Sequence, residues 1–128
     1  MKYLLDTHVL LWLLTDSRHL SQRARNLLST EGNEFFFSAA SIWEIAIKHR
    51  KRPGDIPCSG REAKMFAEES GLKGLPILPA HVLEVEDLPS IHGDPFDRLL
   101  VSQARSESMI LLSHDHAVLE YGHGVEEV

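Results

Sequence analysis

The sequence contains a single cysteine, Cys58, among 128 residues. An internal disulfide and a cysteine-built zinc site are therefore both excluded. Long hydrophobic runs are also missing. The most apolar stretch, MKYLLDTHVLLWLLTD, is interrupted by Asp6 and His8 and stopped by Asp16. It falls short of the roughly 20 apolar residues that span a bilayer, and it carries no small-residue cleavage site. It reads as a buried strand running into an apolar helix, in a cytoplasmic protein with no membrane contact. Positive charge is not in excess: the net charge is −6, which argues against coating nucleic acid by charge alone. There is no glycine-rich phosphate loop, no GxSxG and no HExxH pair. No repeat, low-complexity tract or linker divides the chain, so residues 1–128 read as a single domain.

What is present is ordinary globular material. Hydrophobic residues make up 43% and charged residues 25%, enough to build one core at this length. Short apolar runs alternate with amphipathic stretches. Strands are predicted at Lys2–Leu5, Glu34–Phe37, Leu75–Leu78, Met109–Leu112 and, as an edge, Val125–Val128. Helices are predicted at Thr7–Leu14, at Ser21–Ser29 with Ser21 as cap, and from Ser38 to about residue 50. Further helices follow at Arg61–Ser70 ended by Gly71, at Pro79–Val85, at Pro95–Ser106 and at His116–Tyr121. The breaker-rich stretch from Arg52 to Gly60 reads as a loop. Strands separated by helices predict an α/β fold: a central parallel sheet flanked by helices on both faces, in three layers. Such sheets bind ligands beyond the carboxyl ends of their strands, near the point where strand order reverses.

Four acids draw attention at that edge. Asp6 directly follows the first strand, and Asp115 lies three residues past the strand at Met109–Leu112. Either could simply cap the helix that follows it. In HGDPFDRLLVSQA, residues 92–104, Asp94 precedes Pro95 and suits the N-cap. Asp97 is then the third helical residue. It could close a capping box, yet its neighbours at +3, +4 and +7 are Leu100, Val101 and Ala104, so it heads the core-facing stripe. A carboxylate there is costly without a positive partner. Glu44, in SAASIWEIAIK, could pair with Lys48 at i,i+4 on an exposed face, but Ala40, Ser41 and Ile47 make its surroundings small and largely apolar. If Asp6, Glu44, Asp97 and Asp115 converge, only a cation relieves their repulsion. The matching ion is hard and oxygen-loving, Mg²⁺ or Mn²⁺, and implies phosphoryl or phosphodiester chemistry.

Rival metal ligands are the eight histidines. His114 and His116 are the nearest pair, but none has zinc-hydrolase spacing, and His81, His92, His114, His116 and His123 read mostly as loop or cap residues. Lys48 to Arg52, KHRKR, is the one dense basic run. It suits the carboxyl end of a helix and could equally steer an RNA backbone, with Lys48, His49, Arg50, Lys51 and Arg52 contributing. Arg98 is a further candidate or a surface ion-pair residue.

The motifs LLDTHVLLWLL (4–14), SAASIWEIAIK (38–48), HGDPFDRLLVSQA (92–104) and LLSHD (111–115) together resemble those of PIN-domain ribonucleases, and within them the VapC-type toxins of bacterial toxin–antitoxin pairs. The acidic quartet of that family falls on Asp6, Glu44, Asp97 and Asp115. The resemblance implies a parallel sheet between helices, Mg²⁺ or Mn²⁺, and endonucleolytic cleavage of RNA. It also implies a homodimer and a small antitoxin that occludes the active site. Water rather than the RNA 2′-hydroxyl would attack, leaving a 5′-phosphate. Asp6 and Asp97 would be the principal ligands, with Glu44 and Asp115 acting directly or through water. Two other readings stand beside it. A signalling receiver domain would need paired acids after the first strand and a lysine after a late one; here Asp6 is followed by Thr7 and His8, and the late strand leads to Ser-His-Asp. A non-catalytic binding module on the nuclease fold would not need all four acids.

Overall fold

The computed structural model describes residues 1–128. Its elements are β1 (Lys2–Leu5), α1 (Thr7–Leu14), α2 (Gln22–Ser29), β2 (Glu34–Ser38), α3 (Ala39–Lys51), α4 (Gly60–Glu69), β3 (Lys73–Leu75), α5 (Pro79–Glu84), α6 (Pro95–Ser106), β4 (Ile110–Ser113), α7 (His116–Leu119) and β5 (Val125–Glu127). The five strands form one sheet in the order β3-β2-β1-β4-β5, and every pairing is parallel.

Alternation along the strands divides the core in two. Tyr3, Leu5, Phe35, Phe37 and Leu112 face one side, where Val9, Leu10, Ala24, Ile45, Ala63 and Ala67 of four helices cover them. Leu4 and Leu111 face the other, under Leu100, Val101 and Ala104 of α6 and Val118 of α7. Both faces are buried by helices, as a parallel sheet requires.

The third strand lies two residues earlier than the sequence suggests. Phe36–Ser38 pairs with Lys73–Leu75, whereas the apolar run predicted Leu75–Leu78. Pairing stops before Pro76, which has no N–H to give a ladder. Lys73 and Gly74 read as unlikely strand formers, but β3 is an edge, where such residues are tolerated. Lys73 there meets Glu34 at 3.6 Å. The predicted loop is also shorter than Arg52–Gly60: Ser59 caps α4 in a capping box with Glu62, and Gly60 is already helical. A Cβ at Gly60 would stand 3.0 Å from the Ala46 Cβ and 3.2 Å from the Ile42 carbonyl oxygen, so a side chain there would press α3 and α4 apart by a few tenths of an ångström.

The strand order reverses between β1 and β4: β1 leads to β2 on one side, and β4 leads to β5 on the other. The crevice beyond their carboxyl ends is the expected ligand position, and it holds Asp6 and Asp115.

Candidate active site

Asp6 continues the β1–β4 ladder by donating its N–H to the Leu112 carbonyl at 3.1 Å. Its Oδ1 accepts from the Val9 N–H at 2.8 Å and so caps α1. The cap role is real, but the side chain is also only 3% exposed. Burial pushes its pKa up to about 6, against hydrogen bonds from the Ser113 hydroxyl and the Val9 N–H; the charge of Asp97 pushes in the same direction as burial. Capping alone does not require a carboxylate in so dry a place.

Glu44 is buried on α3, not exposed. Its Oε1 accepts from the Thr7 hydroxyl at 2.7 Å, and Thr7 Oγ1 lies 3.0 Å from Ser41 Oγ. The first turn of α1 is thereby tied to α3. Its Oε2 meets Lys48 Nζ at 2.5 Å. That hydrogen bond raises the Lys48 pKa in spite of partial burial, helped by the charges of Glu44, Asp94 and Asp97.

Asp94 caps α6, its Oδ1 accepting from the Phe96 and Asp97 N–H groups at 2.8 and 3.2 Å. Asp97 follows on the first turn above Leu100, Val101 and Ala104, all buried. Its side-chain partner is one the sequence did not assign to the site: His92 Nε2 lies 2.8 Å from Asp97 Oδ2. Burial raises the Asp97 pKa; the His92 hydrogen bond opposes this, and the charges of Asp94 and Glu44 reinforce it. Asp115 is exposed. Its Oδ1 accepts from the Ala117 N–H at 2.9 Å and caps α7, while its own N–H donates to Ser113 Oγ at 3.1 Å.

Asp97 is the common neighbour. It shares electrostatic coupling with Asp6 and with Glu44, and one ligand atom each of His92, Asp97 and Asp115 lies within 4.8 Å of the others. The four acids reach this crevice from β1, α3, α6 and the β4–α7 turn. The carboxylate oxygens form a hard donor set that fits Mg²⁺ or Mn²⁺, and the His92 imidazole, engaged by Asp97 Oδ2, is a softer donor that suits Mn²⁺ better than Mg²⁺. His92 is a loop residue, as expected, and the fold also brings it to Asp97 and Asp115. Its sequence signal was its place five residues before Asp97, in a loop that folds back over the helix start.

The basic candidates separate. Lys48 is committed to Glu44. The Arg98 guanidinium donates to the carbonyls of Val85, Pro89 and His92 and to the Tyr121 hydroxyl, which pins the loop carrying His92 rather than leaving a free cation over the site. Arg50, Lys51 and Arg52 stand exposed at the end of α3. A broad concavity opens elsewhere, at the amino edge of the sheet around Met1, Met109 and Gly124. No helix is long and apolar enough to cross a membrane.

A parallel α/β domain with carboxylates gathered at its strand-order reversal defines a class of proteins that bind at the sheet's carboxyl edge. The chain belongs to the PIN domain family, whose model matches residues 3–123. Solved structures that share the fold include the following three. VapBC2 from Rickettsia felis, bound to a DNA fragment from its promoter, has a TM-score of 0.73 at 14% identity and covers 100% of this chain and 99% of its own. DNA-bound VapBC from Salmonella typhimurium has a TM-score of 0.68 at 15% identity, covering 99% and 98%. A toxin–antitoxin complex from Klebsiella pneumoniae has a TM-score of 0.66 at 16% identity, covering 98% and 99%. No curated protein matches the sequence.

Proposed function

We propose that this chain is a metal-dependent endoribonuclease and the toxin of a toxin–antitoxin pair. The observation that carries the reading is the cluster of His92, Asp97 and Asp115 within 4.8 Å, beside which Asp6 and Glu44 stand close enough for their charges to act on Asp97. Family membership supports nuclease chemistry, and the likeness to VapBC complexes supports a small antitoxin partner that covers the site. Residues 1–128 act as one nuclease unit.

Asp6 and Asp97 are the principal metal-holding residues, and Glu44, Asp115 and His92 complete the set directly or through water. A bound Mg²⁺ or Mn²⁺ would supply an activated water and charge stabilisation for phosphodiester hydrolysis. The protein supplies the geometry. Asp6 and Asp115 are fixed by the bonds that cap their helices, Asp97 by His92, and Glu44 by Thr7 and Lys48. Arg50 and Lys51 hold backbone phosphates, which makes binding fall steeply with salt. A second copy of the chain covers Leu78, Val82 and Leu83, which stand exposed at and on α5, a patch of the kind that marks interfaces.

The test is incubation of the purified protein with total RNA, with Mg²⁺, Mn²⁺ or chelator, beside Asp6→Ala and Asp97→Ala. Cleavage that needs metal and is lost in both variants supports the reading. Metal-independent cleavage, or full activity in both variants, sinks it.

A further inference from the structure

Two aromatic side chains flank the acids. Trp43 immediately precedes Glu44 on α3, and Phe96 immediately precedes Asp97 on α6. Their rings meet edge to face, with centroids 5.0 Å apart and planes at 75°. Such a pair covers at most one of its four ring faces. Trp43 remains 55% exposed, the only aromatic residue of the chain so open, and Phe96 is half-buried. The core explains Leu100 and Ile45, but it does not explain an indole held at the mouth of a charged crevice.

The surroundings say what such a surface is for. On α3, Trp43 shares a face with Ile47 and Arg50 at +4 and +7. Arg50 in turn lines the groove between α3 and α4 with His49, Arg61 and Lys64. In a chain of net charge −6, Arg50 and Arg61 make this groove locally basic, with Lys64 paired to Glu68 at 2.8 Å, and Arg50 stands about two turns along α3 from Trp43. Stacking surfaces followed by cations are the two components that hold single-stranded nucleic acid. A protein partner would meet the same indole, but the basic groove favours a polyanion.

Resting on the nuclease reading above, we propose that Trp43, supported by Phe96, is a stacking platform for an unpaired base of the RNA next to the scissile phosphate, and that the strand then follows Arg50 into the α3–α4 groove. The site therefore selects unpaired RNA over duplex, because a paired base has no free face to offer. Trp43 contacts substrate without taking part in the chemistry.

The experiment compares wild type, Trp43→Ala, Trp43→Phe and Phe96→Leu on a labelled unstructured RNA 10-mer, the same oligomer with abasic sites, and a duplex. Affinity is read in chelator, KM and kcat in Mg²⁺ or Mn²⁺, and oligomeric state by light scattering. Trp43→Ala is expected to weaken binding and raise KM for the 10-mer by about 10-fold or more, with kcat little changed and the abasic oligomer unaffected. Trp43→Phe keeps a ring and is expected to stay within about 3-fold of wild type, with Phe96→Leu in between. Equal affinity and KM for Trp43→Ala and wild type overturns the proposal. So does an equal loss on intact and abasic oligomers, or conversion of a dimer to a monomer with RNA affinity unchanged, which would assign the surface to a second copy. If the wild type neither binds nor cuts RNA, the nuclease reading itself falls; if it cuts and the Trp43 variants are normal, only the platform does.

Discussion

His92 Nε2 lies 2.8 Å from Asp97 Oδ2, and the loop that carries His92 is itself anchored by Arg98 through the His92 carbonyl at 3.4 Å. One helix, α6, thus supplies both the carboxylate and the arginine that holds the carboxylate's partner. Partners of this kind fix the orientation of a metal-binding side chain, and their loss commonly costs about 10- to 100-fold in metal affinity. His92→Ala is expected to weaken Mn²⁺ binding by about that factor, read by calorimetry or electron paramagnetic resonance, with the fold intact by circular dichroism. His92→Gln, which keeps a donor, is expected to recover part of the loss. Unchanged Mn²⁺ affinity in His92→Ala would remove His92 from the site.

Asp94 and Asp97 stand three residues apart and do different work. Asp94 accepts the N–H bonds that start α6, and asparagine can do the same. Asp94→Asn is therefore expected to keep most activity and stability, Asp94→Ala to lose about 1 kcal/mol of stability with the cap, and Asp97→Asn to lose most RNA cleavage. The Asp94 charge also raises the Asp97 pKa. Its removal in Asp94→Asn is expected to move the acid limb of activity to lower pH. Equal loss of activity in Asp94→Asn and Asp97→Asn would place Asp94 among the metal-holding residues.

The sequence made these two roles separable because both signals were local. A cap followed by Pro95 and a core-facing stripe of Leu100, Val101 and Ala104 depend only on spacing along one helix. The strand and helix order was legible for the same reason, and family motifs pointed to Asp6, Glu44, Asp97 and Asp115. What escaped was set by tertiary packing. β3 sits at Lys73–Leu75 because Pro76 ends its pairing, although Ile77 and Leu78 are the more strand-like residues. The links from Thr7 to Glu44 and from His92 to Asp97 join parts of the chain by fold geometry; no periodicity announces them. Arg98 read as an RNA-backbone contact or a surface ion-pair residue because nothing in its own helix shows the four acceptors that surround it.

Asp6 gives a pH test with a definite sign. Burial raises its carboxyl from 3.8 to about 6, so the folded, metal-free protein binds that proton more tightly than the unfolded chain. Below about pH 4 the group is protonated in both states and adds no cost. As pH rises from 3.8 to about 6, the unfolded chain ionises first and stability is lost. Above about 6 the residual cost is about 3 kcal/mol. Asp6→Asn keeps the α1 cap and removes the charge. In chelator at pH 7 it is expected to be more stable than wild type by denaturant unfolding, with the gap closing towards pH 4. Mg²⁺ is expected to stabilise the wild type and to do little for the variant. A gap that is constant from pH 4 to 7 would contradict a buried, ionised Asp6.

Lys48 supplies the opposite test from His92. Its ammonium sits on Glu44 Oε2 and, being half exposed, is partly screened by water, so the pair is worth about 1 kcal/mol rather than the larger figure for a buried pair. In the metal-free protein it is the one lysine that neutralises the acid cluster. An incoming divalent ion meets that positive charge as repulsion. Lys48→Met leaves the buried Glu44 carboxylate without a cation. The variant is expected to melt lower than wild type in chelator, to bind Mn²⁺ about 3-fold more tightly or better, and to gain more from saturating Mg²⁺ than wild type does. Calorimetric titration and thermal melts with and without metal check both halves. Weaker Mn²⁺ binding in Lys48→Met would show that Lys48 holds Glu44 in place for the metal instead of competing with it.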